Sequence, residues 1–578
     1  MRSSSAQVAI SSSRQIYGDG WTAGPSGLCI MPKPASPSDN ETKVSANPRA
    51  AHAISPWRPF RHPLFTWLWF ASLVANTGSW MYNAAAAWLM TSLNADPLIV
   101  SFVQAAASLP MFLFALPAGA LADIIDRRRF ILTLEIMVTI ASVVFAALLT
   151  AGLATAWTLL LFVFLVSALG ALEGPAWQSL VPQVVPKQDL SAAVAANSVG
   201  INISRAIGPA LAGVFITGLG IAAPFWIDAF SNVGVIAVFL WWRTCQSAIR
   251  PLPAERFASA FRASFRYARN NRHLRATLAR SVGFFLFASA YWALLPLVSR
   301  VQIGGGPGLY GLLLGAIGTG AVGCALVLPY LKAKLGPNGL VGVAEAGTVV
   351  SLLLFGFARE PAIAGLASLI AGMSWIAALA SLNVSAQVAL PDWVRGRGLA
   401  MYQTVFFGTM AIGSIGWGEI ASLVGLSQAH YMAAAGALLA IPLTWRWKLQ
   451  TGAGIDLTPS MHWPEPIVSR SVQSDAGPVM VTVEYHVDPK EQAAFLTAMD
   501  ALSHERRRDG AYAWGVFQDT ANEARFVETF YVESWLEHLR QHKRVTVADR
   551  KLEDNVRRYV RGAPKIVHYI AAAHTRSH

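Results

Sequence analysis

From Phe65 to Arg446 the chain alternates long apolar runs with short connections rich in Arg, Lys, Gly and Pro. A helix needs a run of about 20 apolar residues to cross a bilayer. Twelve such spans are predicted, at 65–91, 98–121, 130–151, 155–179, 191–218, 223–243, 281–302, 308–331, 338–358, 361–388, 398–424 and 427–446. The longest connection, 244–280, divides them six and six. An internal echo supports two related halves: Val181-Pro182 with Leu190 aligns onto Leu390-Pro391 with Leu399, each pair ahead of a helix rich in small residues.

After Trp447 the period changes. Val479–Val487 alternates as a strand, Pro489–Arg508 reads as an amphipathic helix, and Tyr512–Gln518 and Arg525–Glu533 read as strands. Ser534–Val560 is helical and Lys565–Ile570 is a last strand, so the order is βαββαβ, that of a ferredoxin-like fold. The expected fold class is therefore an all-α membrane protein of twelve transmembrane helices in two six-helix halves, plus a C-terminal α+β ferredoxin-like domain. The divisions are a disordered tail at 1–62, a first half at 63–243, a central loop at 244–280, a second half at 281–448, a linker at 449–477 and the small domain at 478–572. Nothing in the Ser- and Pro-rich tail resembles a cleaved signal peptide, and Met31 is an alternative start.

Charge adds an orientation. Arg and Lys gather on alternate connections: Arg58 and Arg61, Arg127 to Arg129, Lys187, Lys332 and Lys334, Arg395 and Arg397, Arg446 and Lys448. The opposite side offers Arg300 and Arg359. Cytoplasmic loops collect such residues, so both termini are expected in the cytoplasm of an inner-membrane protein. In the central loop, Phe257, Phe261, Phe265 and Ala268 recur at helical spacing among arginines. They read as an amphipathic helix on the inner membrane face, with a solvated linker as the alternative.

Composition excludes other classes. The 578 residues are 54% hydrophobic and 13% charged, against about 25% charged in soluble domains. The net charge of +13 resides in the connections, which points to anionic lipid headgroups and not to nucleic acid. Cys29, Cys245 and Cys324 lie too far apart for a metal spacing or a disulfide framework.

The turn between the second and third spans carries chemistry. It reads Gly119-Ala-Leu121-Ala-Asp123-Ile-Ile-Asp126-Arg127-Arg128-Arg129. Gly119 permits close helix approach, and Asp123 suits a helix N-terminus and an Arg partner. This turn resembles the Gly-x-Leu-x-Asp-x-x-Gly-Arg-Arg loop of the major facilitator superfamily, with Asp126 where the family has its second Gly. The resemblance implies that Gly119, Asp123, Arg127 and Arg128 form a gating latch in a transporter that alternates between two states. Gly174-Pro-Ala-Trp177-Gln-Ser-Leu-Val-Pro182 and Arg205-Ala-Ile-Gly-Pro-Ala-Leu-Ala-Gly213 are similar to the enterobactin-exporter and macrolide-efflux group, the transmembrane secretion effectors. That implies proton-coupled efflux of small hydrophobic or amphiphilic molecules, drug- or siderophore-like. The segment around Trp535-Leu-Glu-His538-Leu-Arg-Gln-His542 is similar to the antibiotic-biosynthesis monooxygenase domain, a dimeric α/β barrel. Dimerisation through the tail is the implication.

Charged groups inside spans are costly unless they face protein or water. Arg205 either bonds carbonyls between helices or takes part in coupling. Among in-span carboxyls, Glu419 between small residues is the preferred proton site, followed by Glu345, with Asp228, Glu135 and Glu173 further candidates that could lie near span ends. Asn83, Gln104, Asn197, Asn202, Asn383 and Gln403 are candidates for a substrate cavity, with interhelical hydrogen bonding as the alternative for each. Trp80, Trp88, Phe112, Trp292 and Phe406 are candidate aromatic walls.

In the tail, His538 and His542 are four apart on one helix face, a spacing that suits a metal, but the sequence displays no third ligand. No metal, cofactor or catalytic group is expected. The alternative reading is a membrane-tethered enzyme whose tail modifies the exported compound.

Overall fold

The computed structural model describes residues 57–186, 188–242 and 269–450, and then residues 456–571 except 461, 464–465, 467–472 and 474–475. The amphipathic helix expected at 257–268 and most of the N-terminal tail lie outside the described residues. The chain is mostly helical. The first half contains α1 (Pro63–Leu93), α2 (Pro97–Ile124), α3 (Arg127–Thr150), α4 (Ala156–Val184), α5 (Leu190–Leu219) and α6 (Ala223–Trp241). The second half contains α7 (Arg272–Leu297), α8 (Pro307–Phe357), α9 (Pro361–Val388), α10 (Asp392–Val424) and α11 (Leu426–Trp445). Among the described residues, ten helices are long and apolar enough to cross a membrane. The chain is a multi-pass membrane protein.

Two details bear on the expected spans. Helix α8 runs over 51 residues, but Gly336 within it has φ 64° and ψ 171°, so two helical segments meet there. A positive φ is open to glycine at little cost, and Pro337 follows directly. Helix α7 starts at Arg272, nine residues before the apolar run expected at Ser281. Its first turns carry Arg280, whose charge is buried against Glu345, so hydropathy alone places this boundary too late.

Local chemistry fixes the helix ends. Asp96 caps α2 by accepting from the Leu98 N–H, and Thr155 and Thr158 form a reciprocal capping box on α4. Asn271 accepts from the His273 and Leu274 N–H groups at the start of α7. Asp126 accepts from the Arg129 N–H at 2.9 Å and so caps α3. A carboxylate that serves as this cap explains why an Asp stands where the resembling loop has Gly.

The two ends of the bundle differ. The near end bears the 124–127 turn, the start of α7, the Gly336 break and the C-terminal domain. The far end bears the 93–97, 219–223, 297–307 and 424–426 connections. Across the two halves α5 packs on α8 and α2 packs on α10. At the far end Gly213 and Gly311 meet backbone to backbone, and a Cβ built on either would lie 2.9 Å from atoms of the other helix. Small residues allow such approach where dispersion and not water drives packing.

The C-terminal domain has strands β1 (Val479–His486), β2 (Tyr512–Gln518), β3 (Arg525–Val532) and β4 (Lys565–Ile570). Its helices are α12 (Gln492–Arg508), α13 (Trp535–Arg544) and α14 (Val547–Arg557). The sheet order is β2-β3-β1-β4, with every pairing antiparallel. The buried face of β1 (Val479, Val481, Val483 and Tyr485) and that of β3 (Phe526 and Phe530) pack on Phe495, Met499 and Leu502 of α12. Part of the expected linker belongs structurally to this domain, since Ser460 N–H donates to the Val545 carbonyl and Val547 N–H to that of Thr458.

Candidate functional site

Within the first half, four helices bring polar side chains together. Asp228 of α6 is 1% exposed and accepts hydrogen bonds from Ser142 Oγ of α3 at 2.7 Å and Ser79 Oγ of α1 at 3.3 Å. Glu135 of α3 and Glu173 of α4 are hydrogen-bonded to each other, and Glu135 lies in the field of Asp228. Asp228 stands six residues into α6 and thirteen from its end, and Glu135 and Glu173 likewise sit within the bounds of α3 and α4. The Glu135–Glu173 pairing is invisible in the sequence because the residues are on different helices.

Other candidates are placed differently. Glu345 of α8 pairs with Arg280 of α7 at 3.4 Å, with both side chains essentially buried. Arg280 also donates to Asn338 Oδ1 at 3.3 Å and stacks over Trp445. Asn338 Oδ1 accepts in turn from the Leu449 N–H at 2.8 Å, which ties the start of the linker to the second half. Arg205 of α5 lies over the Trp80 ring of α1 at 5.3 Å, and its buried Nε has no hydrogen-bond partner. Glu419 is exposed on α10, five residues before the far-end terminus of that helix.

Four of the amide candidates bond along their own helices. Asn83 donates to the Ser79 carbonyl, Asn202 to that of Ser198, Gln104 to Ser108 Oγ, and Gln387 donates to Asn383 Oδ1. These are contacts one turn apart, not bonds between helices. Asn83, Asn202, Asn383 and Gln403 are exposed, whereas Asn197 is half-buried beside Phe65 and Trp177. Phe406, Phe285, Trp375 and Trp292 form one aromatic cluster, with Phe285 and Phe406 4.4 Å apart. Phe112 packs on Gly408, where a Cβ would fall 2.6 Å from its ring.

At the far end Arg300 donates to Thr91 Oγ1 at 3.0 Å and to Ser92 Oγ, and sits 5.5 Å over the Trp88 ring. Trp88 stacks on Tyr310 at 5.7 Å. With Gly213 against Gly311, and Gly418 against Ser101, these contacts seal the halves together. At the near end Arg128 donates Nε and Nη2 to the Phe239 carbonyl at the end of α6. Gly119 and Asp123 lie on α2, and their side-chain positions are outside the described residues.

The C-terminal domain holds a cavity of about 360 Å³. Arg506 crosses it, donating to Glu528 at 3.2 Å and Glu553 at 2.8 Å. Glu553 also receives His462 at 2.8 Å and Trp463 Nε1 at 2.9 Å, both from the linker segment. Burial opposes ionisation of Glu553, yet Arg506 and His462 hold its carboxyl down at about 2. Burial, then the neighbouring His568, pushes His538 down to about 3 and His542 to about 4. His486 and His504 point elsewhere: both lie at the surface, away from this cavity. The third histidine that the sequence did not display beside His538 and His542 is His568 of β4.

The family profile of transmembrane secretion effectors matches residues 54–576, nearly everything described. A staphyloferrin A transporter of Staphylococcus aureus is 23% identical over 48% of this chain and 72% of its own length. The multidrug efflux pump Tap of Mycolicibacterium fortuitum is 30% identical over 29% of this chain, and the match spans 42% of the pump. An uncharacterised MFS-type transporter of Bacillus subtilis, YfiS, is 29% identical, and the match spans 40% of its length. Among solved structures, a mutant of the nucleoside transporter NupG superposes with a TM-score of 0.56 at 12% identity, covering 66% of this chain and 99% of that one. An inward-facing bacterial homologue of the iron transporter ferroportin gives 0.51 at 16% identity, covering 67% and 98%. At such identities the likeness concerns the fold alone. The fold, the paired helices between halves and the profile over residues 54–576 agree: this chain belongs to the transmembrane secretion effector family of major facilitator transporters.

Proposed function

We propose that this protein is a proton-coupled exporter of small hydrophobic or amphiphilic molecules, drug- or siderophore-like, working by alternating access in the inner membrane. The observation that carries the reading is Asp228, buried among α1, α3 and α6 and held by two serine hydroxyls. Ionisable groups inside a membrane bundle mark proton relays and substrate paths. The hydrogen-bonded Glu135 and Glu173 extend that polar track. We therefore place coupling at Asp228 with Glu135 and Glu173, ahead of Glu419 on the exposed far-end surface of α10. The cargo class follows the relatives, one an efflux pump for multiple drugs and one a transporter of staphyloferrin A.

In this reading twelve helices cross the membrane, α1 and the two segments of α8 included. The near end, with both termini and the C-terminal domain, faces the cytoplasm, following the Arg-rich connections. The Arg300–Trp88–Tyr310 seal is then the closed outer gate of an inward-facing state. Exposed mid-helix amides are costly against lipid, so Asn83, Asn202, Asn383 and Gln403 line the aqueous path, with Gln104 and Asn197 beside it. Arg205 and the Arg280–Glu345 pair hold the helices that must move as bodies. Gly119, Asp123, Arg127 and Arg128 act as the inner latch.

The strand order supports a ferredoxin-like tail of the monooxygenase-like kind. Tyr512, Tyr531, Met480 and Tyr569 form a cross-strand row on the open sheet face, a surface for dimerisation and not for catalysis. One observation favours a second reading, a tethered enzyme: the cavity crossed by Arg506. Turnover of a quinone-like compound by the purified full chain would establish it. For the main reading, proteoliposomes with an imposed pH gradient should move a lipophilic cationic dye, and the dye should evoke proton flux. Dye movement without proton flux would remove the coupling, and no dye movement would remove the exporter.

A further inference from the structure

We propose that His538, His542 and His568 of the C-terminal domain bind a divalent transition cation, zinc above all, with one coordination position open to the cavity. His538 and His542 occupy successive turns of α13, and their Nε2 atoms are 3.2 Å apart. His568 comes from β4, where alternation turns Ile566, His568 and Ile570 to the helix side of the sheet. One ligand nitrogen from each of the three rings lies within 4.8 Å of the others. Zinc bonded to imidazole at about 2.0–2.1 Å in tetrahedral geometry places its ligand nitrogens roughly 3.3 Å apart. The His538–His542 spacing already has that value, and His568 has to close by at most about 1.5 Å to complete the face.

The surroundings fit ligation. His538 Nδ1 lies 3.3 Å from Gln541 Oε1, which can accept only if Nδ1 carries the proton. That tautomer leaves the Nε2 lone pair directed at His542, and a hydrogen bond from the far ring nitrogen to a carbonyl oxygen such as that of Gln541 is what orients metal-bound histidines. Trp535 packs on the His538 and His568 rings, and Trp463 packs edge-on to His542. The rings are thereby fixed before any ion arrives. Three neutral imidazoles suit zinc, copper, nickel or cobalt and offer little to magnesium or calcium, which prefer oxygen ligands. The fourth position looks into the cavity crossed by Arg506, where water or a small ligand fits.

The test uses the full chain in detergent, carried on a tag without histidines and stripped with a chelator. Elemental analysis after incubation with Zn²⁺ and dialysis should give one zinc per chain, and Co²⁺ should give the visible bands of a tetrahedral site. Saturating Zn²⁺ should raise the unfolding temperature of the C-terminal domain, as binding to the native state must. His568→Gln and His542→Ala should abolish stoichiometric zinc, and Gln541→Ala should weaken it by about 10–100-fold. Absence of zinc and of any thermal shift in the unaltered chain would overturn the proposal, as would undiminished zinc in either histidine variant. The thermal shift needs no variant, so a variant that fails to fold does not rescue the proposal.

Discussion

The guanidinium of Arg128 donates both Nε and Nη2 to the carbonyl oxygen of Phe239, at 3.0 and 2.7 Å, and so closes the C-terminus of α6 from the first turn of α3. A cation at a helix C-terminus also meets the negative end of the helix dipole. The turn that the sequence presents as a latch is thus tied within the first half through α6. Arg128→Ala is expected to lower stability by about 1.5–3 kcal/mol, the worth of a charged hydrogen bond. Arg128→Lys should recover only part of it, because a lysine cannot supply the fork. Thermal unfolding in detergent reads both.

Gly311 and Gly213 set the closeness of the far-end seal. Gly311→Val cannot fit against the Gly213 backbone and should part the halves there. A cysteine placed at Ala212, which is buried beside this contact, should label several-fold faster with a membrane-impermeant maleimide in the Gly311→Val background. Unchanged labelling would mean that the seal does not depend on that contact.

Glu345 and Arg280 are a buried pair, and Glu345 Oε1 and Arg280 Nε have no partner of their own. Loss of one member strands the other charge, at a cost of about 3–5 kcal/mol. Glu345→Leu alone should therefore be severely destabilising, whereas Glu345→Leu with Arg280→Met should recover most of the loss. A double-mutant cycle on the unfolding temperature measures the coupling.

Glu553 gives a pH dependence with a definite sign. Its carboxyl is held at about 2 when folded, against an ordinary 4.5 when unfolded. The stabilisation is fully present above pH 4.5 and is lost as pH falls from 4.5 toward 2, on the order of 3 kcal/mol in all. Hydrogen-exchange protection of β1 and β3 amides, corrected for intrinsic rates, should fall across that window. Glu553→Gln should flatten the fall.

The helices are legible in the sequence because hydropathy is a local property, and the four strands and α12 are legible because strand and helix periods differ. Ser534–Val560, by contrast, reads as one helix and is two, α13 and α14, parted where Thr546 caps the second. Hydropathy places the start of α7 late because the Arg280 charge is cancelled by Glu345, 65 residues away. The carboxyl site is legible only in parts. Asp228 is one of five in-span carboxyls and ranks behind Glu419 and Glu345 on sequence, because its partners Ser142 and Ser79 are 86 and 149 residues distant and nothing local marks them. The histidine spacing on α13 is plain. That β4 turns His568 toward it depends on the sheet order, which no local pattern encodes. The amides of Asn83 and Asn202 bond one turn back along their own helices, so composition identifies polar positions without showing what they touch.

Asp228→Asn in proteoliposomes separates proton coupling at this carboxyl from a purely structural role. The substitution keeps the size and much of the hydrogen bonding at the Ser142 and Ser79 hydroxyls but removes the titrating group. Dye counterflow, which needs no net proton movement, should survive, while pH-gradient-driven dye export and dye-evoked proton flux should be lost. Full gradient-driven export by the Asp228→Asn protein would contradict coupling at this carboxyl.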